Sequence, residues 1–128
     1  MGDRIMLVDD ETEFLEVMSE RLTSRGIDVA TSTSAEEAIG RLGKETFDAV
    51  ILDLQMPGMD GLEALKHMKE KRPELQVILL TGHATVEKGV EAIKLGAMDL
   101  IEKPADLESL KEKIKKAKEK KMLIVEKE

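Results

Sequence analysis

The 128-residue sequence contains no cysteine, tryptophan or tyrosine, and its aromatic side chains are limited to Phe14 and Phe47. Without cysteine, the chain has no disulfides, no thiolate chemistry and no cysteine-ligated zinc. With so few aromatic rings, it lacks the platforms on which the bases of single-stranded nucleic acids stack. No apolar run approaches the roughly 20 residues that a membrane-spanning helix needs, so we expect no membrane partner.

The charge of the chain is unevenly distributed. The net charge of −7 disfavours direct binding of nucleic acid. Residues 111–121 nevertheless hold seven lysines and two glutamates, and we interpret them as the solvated face of a last helix. The first residues lack the apolar stretch of a secretory signal, and the absence of cysteine fits a reducing compartment. We therefore expect a cytoplasmic protein.

Short apolar runs alternate with segments of helical period along the whole chain. The runs predict strands near residues 4–8, 27–31, 47–53, 76–81 and 98–102. Several runs are continuously apolar, as expected for strands that helices cover on both faces. The alternation predicts an α/β domain with a doubly wound parallel sheet and right-handed crossovers. The length accommodates a single domain.

Five helices follow the five strands in this interpretation. Ser34 with Glu37 has the spacing of a capping box, Asp60 is a candidate cap for the third helix, and Pro73 limits that helix. The predicted inward faces are Phe14, Leu15, Met18 and Leu22; Ala35, Ala38, Ile39 and Leu42; Leu62, Leu65 and Met68; Val86, Val90 and Ile93; and Leu107, Leu110, Ile114 and Ala117.

The C-terminal residues 122–128 are set apart from a domain predicted to span residues 1–121. They contain four apolar residues after the lysine-rich segment, Met122-Leu123-Ile124-Val125. Three interpretations stay open for them: an extension of the last helix, a segment that docks on a neighbour, or the start of a linker.

A polar residue ends or directly follows each apolar run except the second. Asp9 and Asp10 follow the first strand, Asp53 ends the third, Thr81 ends the fourth, and Lys103 follows the fifth. The carboxyl ends of parallel strands line one crevice, where ligands bind in open α/β sheets. We therefore expect these five side chains to lie together.

Three carboxylates in one crevice need a counter-charge, because a unit pair about 4 Å apart repels by about 4 kcal/mol at an effective dielectric constant of 20. Mg²⁺ takes oxygen ligands and keeps several waters. We predict direct ligation by Asp10, Asp53 and the backbone carbonyl of Gln55, with Asp9 acting mainly through water. Helix capping explains one of the two neighbouring aspartates, but it does not explain Asp53 on another strand.

Asp53 is also the candidate nucleophile. Carboxylates attack phosphoryl groups to form acyl phosphates, and this transfer depends mainly on positioning and on charge neutralisation. Lys103 can supply a second positive charge beside the metal. The hydroxyl group of Thr81 can bind phosphoryl oxygens.

These residues belong to longer motifs with a distinctive order and spacing. The motifs are Val8-Asp9-Asp10-Glu11, Asp53-Leu54-Gln55-Met56-Pro57-Gly58-Met59-Asp60-Gly61, Thr81-Gly82, Gly96-Ala97 and Lys103-Pro104. From residue 4 to about residue 120, the chain resembles the receiver domain of bacterial two-component response regulators. The resemblance implies a flavodoxin-like (βα)5 fold with strand order 2-1-3-4-5.

The resemblance further implies a phosphorylation-activated signalling switch that is not an enzyme beyond its own phosphoryl transfer and autodephosphorylation. Asp53 would accept a phosphoryl group from a sensor histidine kinase or a phosphotransfer protein, with Mg²⁺ bound through Asp9, Asp10 and Asp53. Thr81 would move toward the phosphoryl group, Lys103 would pair with it, and the bond before Pro104 would be cis.

The implied response spreads over the face formed by the fourth helix, the fifth strand and the fifth helix. That face would bind a downstream effector, an output domain outside this sequence, or a second copy in a homodimer. Physically, a new charge of about −2 would bias a surface with two arrangements.

Four residues bear on how closely this chain follows the pattern. Leu100 stands where family members often carry an aromatic switch residue, and Ala105 stands where phenylalanine is common, which predicts looser packing under the fifth helix. Gln55 and His83 occupy positions that tune the lifetime of the phosphate in the family. We expect the same role for them here.

Four other functions or sites are compatible with parts of the pattern. A flavodoxin-type FMN protein would need a phosphate loop where this chain has Asp9-Asp10-Glu11. An aspartyl-phosphate phosphatase would need a second aspartate where Gln55 stands. An EF-hand is excluded by Pro57 and Ala64 at the fifth and twelfth loop positions. Leu100 leaves open a degenerate receiver that acts as a phosphorylation-independent protein-binding module.

Overall fold

The computed structural model describes residues 3–82 and 85–127, with side chains through residue 122. In chain order the elements are β1 (Arg4–Val8), α1 (Thr12–Thr23), β2 (Asp28–Ser32), α2 (Ala35–Leu42), β3 (Ala49–Asp53), α3 (Gly61–Lys71), β4 (Gln76–Thr81), α4 (Val86–Lys94), β5 (Asp99–Glu102) and α5 (Leu107–Lys127). All neighbouring strands are parallel, in the order β2-β1-β3-β4-β5. The predicted fold class and strand order are confirmed.

The helix ends follow from local side chains. Ser34 accepts a hydrogen bond from the backbone N–H of Glu37 at 3.2 Å, and Asp60 accepts one from Leu62 at 2.8 Å. These side chains satisfy N–H groups that have no partner within the first turn. Both predicted caps are therefore present.

Apolar side chains fill both faces of the sheet. Every residue of β3 and β4 is buried, which accounts for the continuous apolar runs 49–52 and 77–80 within them. Alternate strand residues point to opposite faces. One face packs mainly on α2 and α3 through Met6, Val8, Val50, Leu52, Val77 and Leu79, and the other on α1 and α5 through Ile5, Leu7, Ala49, Ile51, Ile78 and Leu80.

Helix α4 faces the opposite way from the sequence prediction. Val86, Val90 and Ile93 are 84%, 50% and 55% exposed, and the buried residue of this helix is Ala92. The predicted inward face was therefore wrong. The helix covers the edge strand β5, where the close approach needs a small side chain, and its larger apolar residues are left at the surface.

Helix α5 runs without interruption to Lys127, so residues 122–127 continue the helical backbone. Its basic segment is not simply solvated. Lys118 pairs with Asp3 at 3.1 Å, Lys121 donates to the carbonyl of Phe47 at 2.9 Å, and Lys113 pairs with Asp99. The lysines of this segment are exposed or partly exposed, as predicted for a solvated face, and these three also bind acidic or carbonyl groups of the same domain. The domain boundary at residue 121 stays a prediction.

Among the described residues, no helix combines the length and the apolar character that crossing a bilayer requires.

Candidate functional site

The carboxyl ends of β1 and β3 bring the acidic residues together. The two strands are neighbours, with Val8 opposite Leu52, so Asp9 and Asp53 lie side by side. Asp9 and Asp53 are buried, whereas Asp10 is exposed. One carboxylate oxygen from each of the three lies within 4.8 Å of the others. The predicted acidic cluster is therefore present, with one member facing solvent.

The two buried carboxylates have the same local geometry. Oδ1 of Asp9 accepts the backbone N–H of Glu11 at 2.9 Å, and Oδ1 of Asp53 accepts that of Gln55 at 3.1 Å. Each bond joins a residue to the second residue after it, which is the pattern of an Asx turn. Both side chains are thereby oriented by the loop that follows their own strand. Oδ1 is fixed in each, and Oδ2 is available for other contacts.

Lys103 reaches this cluster from the loop after β5. Its ammonium donates to Oδ2 of Asp9 at 2.8 Å and lies 3.7 Å from Oδ2 of Asp53 and 3.4 Å from Oε1 of Glu11. The same nitrogen lies 4.7 Å from the centroid of the Phe14 ring. Its side chain is 18% exposed. The ammonium therefore contacts both buried acids and one aromatic ring.

The backbone at the end of β5 is also fixed. The N–H of Lys103 donates to the carbonyl of Thr81 at 2.7 Å, and the peptide bond between Lys103 and Pro104 is cis. Thr81 itself is fully buried at the end of β4. The predicted lysine and threonine thus lie on adjoining strand ends, joined through the backbone.

Burial sets the protonation behaviour of this cluster. Desolvation raises the pKa of Asp53 to about 6, the N–H of Gln55 opposes the rise, the nearby Asp9 carboxylate adds to it, and Lys103 opposes it. Desolvation would lower the pKa of Lys103, but the hydrogen bond that the ammonium donates to Asp9 and the charges of Asp9, Asp53 and Glu11 outweigh it, and the pKa is raised. The lysine is fully charged at neutral pH.

The residues at the rim of the site differ in how they are placed. Gln55 is exposed, and its Oε1 lies 3.4 Å from where a Cβ at Gly82 would be. Leu100 is half-buried and packs beside Gly89 of α4. His83 lies outside the described residues.

Two contacts of Lys103 were missed by the sequence analysis. Phe14 was assigned only to the inward face of the first helix, and Glu11 only to a motif. Phe14 is one of two aromatic residues in the chain, and its place one turn into the helix after the acidic pair was the available signal.

Ala105 packs at the edge of the α1–α5 cluster and lines an open surface cleft with Phe14, Val17 and Pro104. The short side chain leaves this cleft beside the lysine.

The donor set fits a hard divalent cation. Three carboxylates with adjacent oxygens offer the ligand type that Mg²⁺ and Ca²⁺ prefer. The raised pKa of Asp53 reflects desolvation first and the neighbouring Asp9 carboxylate second, and a bound cation would favour the ionised form. The exposure of Asp10 leaves one side of the cluster open for metal-bound water.

Comparison with known families decides the assignment of the chain. The family model described as response regulator receiver domain matches residues 5–115. The chain belongs to this family. Receiver domains are phosphorylation-activated switches of two-component signalling rather than enzymes that turn over a separate substrate. The alternative of a phosphorylation-independent binding module is not favoured.

Curated relatives are transcriptional regulators. The transcriptional regulatory protein ZraR of Escherichia coli (strain K12) is 34% identical over 113 residues, which are 88% of this chain and 26% of the relative. The DNA-binding transcriptional regulator NtrC of Klebsiella pneumoniae is 37% identical over 102 residues, 80% of this chain and 22% of the relative. The chain thus spans about a quarter of the length of these relatives.

Solved structures agree with the fold. A response regulator receiver domain protein (CheY-like) from Methanospirillum hungatei JF-1 superposes with a TM-score of 0.89 at 31% identity, covering 95% of this chain and 98% of that one. A response regulator from Burkholderia pseudomallei, solved with a phosphorylated aspartic acid, a calcium ion and citrate, has a TM-score of 0.80 at 28% identity, covering 85% and 64%.

Proposed function

We propose that Asp53 is the phosphoacceptor of this receiver domain and that its Oδ2 is the attacking atom. The proposal rests on the different contacts that the two carboxylate oxygens of Asp53 make. Oδ1 accepts the N–H of Gln55, whereas Oδ2 lies toward the ammonium of Lys103. Asp53 is 3% exposed, which restricts access of water to a newly formed acyl phosphate.

The phosphoryl donor in this proposal is a phosphohistidine on a sensor kinase or a phosphotransfer protein. Oδ2 of Asp53 attacks phosphorus, the P–O bond forms, and the P–N bond breaks with departure of the imidazole, which takes up a proton. The acyl phosphate carries a charge of about −2 in place of the −1 of the ionised carboxylate, so the net charge of the protein changes by about −1. Hydrolysis of the same acyl phosphate by water resets the domain.

We propose Mg²⁺ as the cofactor, held by Asp9, Asp10 and Asp53, with the backbone carbonyl of Gln55 as a further ligand. When bound, Mg²⁺ neutralises charge that develops on the transferring phosphoryl group. Asp53 therefore serves both as ligand and as nucleophile. Asp9 would hold the metal while its Oδ2 accepts the hydrogen bond from Lys103.

Lys103 and Thr81 complete the phosphoryl site in this proposal. The ammonium needs to move little from Asp9 to reach a phosphoryl oxygen on Asp53, since it already lies 3.7 Å from Oδ2. Thr81 offers its hydroxyl from the adjoining strand. The carbonyl of Thr81 accepts the N–H of Lys103, so a movement of either residue also displaces the backbone of the other.

The face formed by α4, β5 and α5 is the proposed output surface. Helix α4 buries one small side chain, Ala92, so shifting it costs little core packing. Leu100 of β5 lies beneath it, near Gly89. The exposed Val86, Val90 and Ile93 would then contact an effector, an output domain of a longer protein, or a second copy in a homodimer.

Gln55 and His83 are proposed to tune the lifetime of the acyl phosphate, and the proposed setting is the cytoplasm. The exposed side chain of Gln55 leans over the end of β4, beside the path by which water would reach the phosphoryl group. Gln55→Ala should change the rate of dephosphorylation, measured by the decay of the adduct after the donor is removed.

Amide NMR spectra recorded with Mg²⁺ and beryllofluoride test the switch. Beryllofluoride stands in for the phosphoryl group on the aspartate. We expect shifts at Asp53 and Thr81 first, and then along α4 and β5. The Asp53→Asn variant should show none of them. Spectra of the wild type that do not change with Mg²⁺ and beryllofluoride would contradict the proposed function.

A further inference from the structure

We propose that Phe14 is a positioning residue for Lys103. The face of its ring holds the ammonium beside Oδ2 of Asp9 and Asp53, ready for phosphoryl transfer. The inference rests on the proposed function, because it concerns the lysine that would pair with the phosphoryl group.

The contact has the geometry of a cation–π interaction. Nζ of Lys103 lies 4.7 Å over the Phe14 ring, inside the 6 Å within which a ring face attracts a cation. The ring is held by its own helix, because Leu15, Met18 and Leu22 of α1 are buried against the sheet. Phe14 packs at the margin of the same cluster. The support under the ammonium is therefore rigid.

The chemistry of the lysine explains why a ring is suited to this place. A lysine ammonium has three N–H donors on a flexible four-carbon stem. A ring face attracts the charge without accepting a conventional hydrogen bond from any of the three. Asp9 takes one donor at 2.8 Å and the exposed Glu11 takes a second at 3.4 Å. The third donor stays available for an oxygen of an incoming phosphoryl group.

A competing contact makes positioning necessary. Oε1 of Glu11 lies 3.4 Å from the ammonium, and its side chain is 67% exposed. Without the ring, this carboxylate and the surrounding water would draw the lysine outward, away from Asp53. The ring therefore favours the inward position of the ammonium over the outward one.

The surroundings of Phe14 permit a matched set of variants. Phe14 lines the surface cleft together with Val17 and Ala105. Phe14→Tyr keeps the ring and places a hydroxyl where there is space. Phe14→Leu and Phe14→Met keep an apolar side chain and remove the ring. Val17→Ala changes the same cleft one turn along α1 and leaves the ring in place.

The first measurement uses NMR of the full chain without Mg²⁺ or phosphodonor. A proton above a ring face is shifted upfield by the ring current. We expect the ε-methylene protons of Lys103 to be shifted upfield in the wild type, Phe14→Tyr and Val17→Ala. In Phe14→Leu and Phe14→Met they should return to ordinary lysine values. Unchanged shifts in both ring-less variants overturn the inference.

The second measurement is the rate of phosphorylation by acetyl phosphate at saturating Mg²⁺. We expect the ring-less variants to react about threefold to tenfold more slowly, as the strength of such contacts implies. Phe14→Tyr and Val17→Ala should stay within about twofold of the wild type, with folding verified by urea denaturation. If Phe14→Tyr is as slow as Phe14→Leu, or Val17→Ala is equally slow, packing rather than the ring is responsible and the inference is wrong.

The two proposals fail in different ways. A wild type that takes up no phosphate contradicts the proposed function. A wild type that is phosphorylated, with ring-less variants that react at the same rate, contradicts only the role of Phe14.

Discussion

Lys103 donates a 2.8 Å hydrogen bond to Oδ2 of Asp9, although the two residues are 94 positions apart in the chain. The ammonium is therefore hydrogen-bonded to the acid next to the proposed phosphoacceptor and makes a longer ion pair, at 3.7 Å, with the phosphoacceptor itself. Asp9 is 1% exposed, so this is a buried charge held by one strong partner. The pairing keeps the lysine within reach of Asp53, because its ammonium lies 3.7 Å from Oδ2 of Asp53 without donating a hydrogen bond to it.

Removing the lysine should destabilise the protein. In Lys103→Met, two buried carboxylates remain side by side with no ammonium between them. Breaking a buried pair by removing one partner is strongly unfavourable, and we expect a loss of about 2–4 kcal/mol in the free energy of unfolding at pH 7.5 without divalent cations. Urea denaturation in the presence of EDTA measures it.

Glu11→Gln is the matched control, because it removes the exposed carboxylate from the same ammonium. An ion pair with a partner that is 67% exposed contributes little. We expect a change below about 0.5 kcal/mol. Equal losses in Lys103→Met and Glu11→Gln would show that the lysine is held by its outer rather than its buried partner.

The raised pKa of Asp53 predicts a dependence of stability on pH. Between its ordinary value of 3.8 and about 6, the folded protein binds the proton more tightly than the unfolded chain. The stabilisation of the folded state by this more tightly bound proton is present below pH 4 and is lost as the pH rises through 6. A shift of about two units corresponds to about 3 kcal/mol.

Asp53→Asn isolates this effect, since its amide stays neutral. Without divalent cations, we expect the variant to match the wild type near pH 4 and to exceed it by up to about 3 kcal/mol at pH 7.5. Urea denaturation at the two pH values provides the comparison. If the difference in the free energy of unfolding between the two proteins is the same at both pH values, ionisation of Asp53 does not destabilise the folded state.

Bound Mg²⁺ should offset the repulsion among the three carboxylates and so stabilise the folded protein. A ligand that binds only the folded state, at 100 times its dissociation constant, adds about 2.7 kcal/mol to the free energy of unfolding. We expect this gain in the wild type and a much smaller one in Asp10→Asn, measured by thermal unfolding with and without Mg²⁺. Glu13→Gln removes another acid in the first turn of α1 and should keep the full gain.

Gly61 should be required by the loop that follows Asp53. A Cβ at this position would lie 2.7 Å from Cα of Leu54 and 2.8 Å from its carbonyl oxygen. Gly61→Ala must therefore displace backbone next to the phosphoacceptor, and we expect it to cost about 1–3 kcal/mol.

The control for Gly61 is Gly40→Ala in α2, where a Cβ would meet nothing within 4 Å. There, alanine should stabilise the helix by about 0.5–1 kcal/mol. Circular dichroism during urea denaturation distinguishes the two substitutions. If both substitutions change the free energy of unfolding equally, helix propensity, and not the close approach to Leu54, determines the effect of Gly61→Ala.

The sequence predicts the crevice well because the end of a strand can be recognised from the few residues around it. Asp9, Asp53, Thr81 and Lys103 each follow or end an apolar run, and parallel strands align such ends whatever the details of packing. Caps such as Ser34 and Asp60 are equally local. The fold and the composition of the site could therefore be predicted from residue types and spacing.

What could not be predicted depends on side-chain direction and on contacts between distant segments. Asp9 is buried and Asp10 exposed because neighbouring residues at a strand end point to different sides. The contact of Phe14 with Lys103 joins α1 to the loop after β5, and no periodicity reports it. The outward face of α4 was mistaken because an apolar stripe does not indicate whether this domain or a partner covers it.

The most direct test of the central claim is the intact mass of the protein after incubation with acetyl phosphate and Mg²⁺. The wild type should gain one phosphoryl adduct, which is labile as expected for an acyl phosphate, and Asp53→Asn should gain none. A wild type without the adduct, or an adduct that persists in Asp53→Asn, would contradict the assignment of Asp53 as phosphoacceptor.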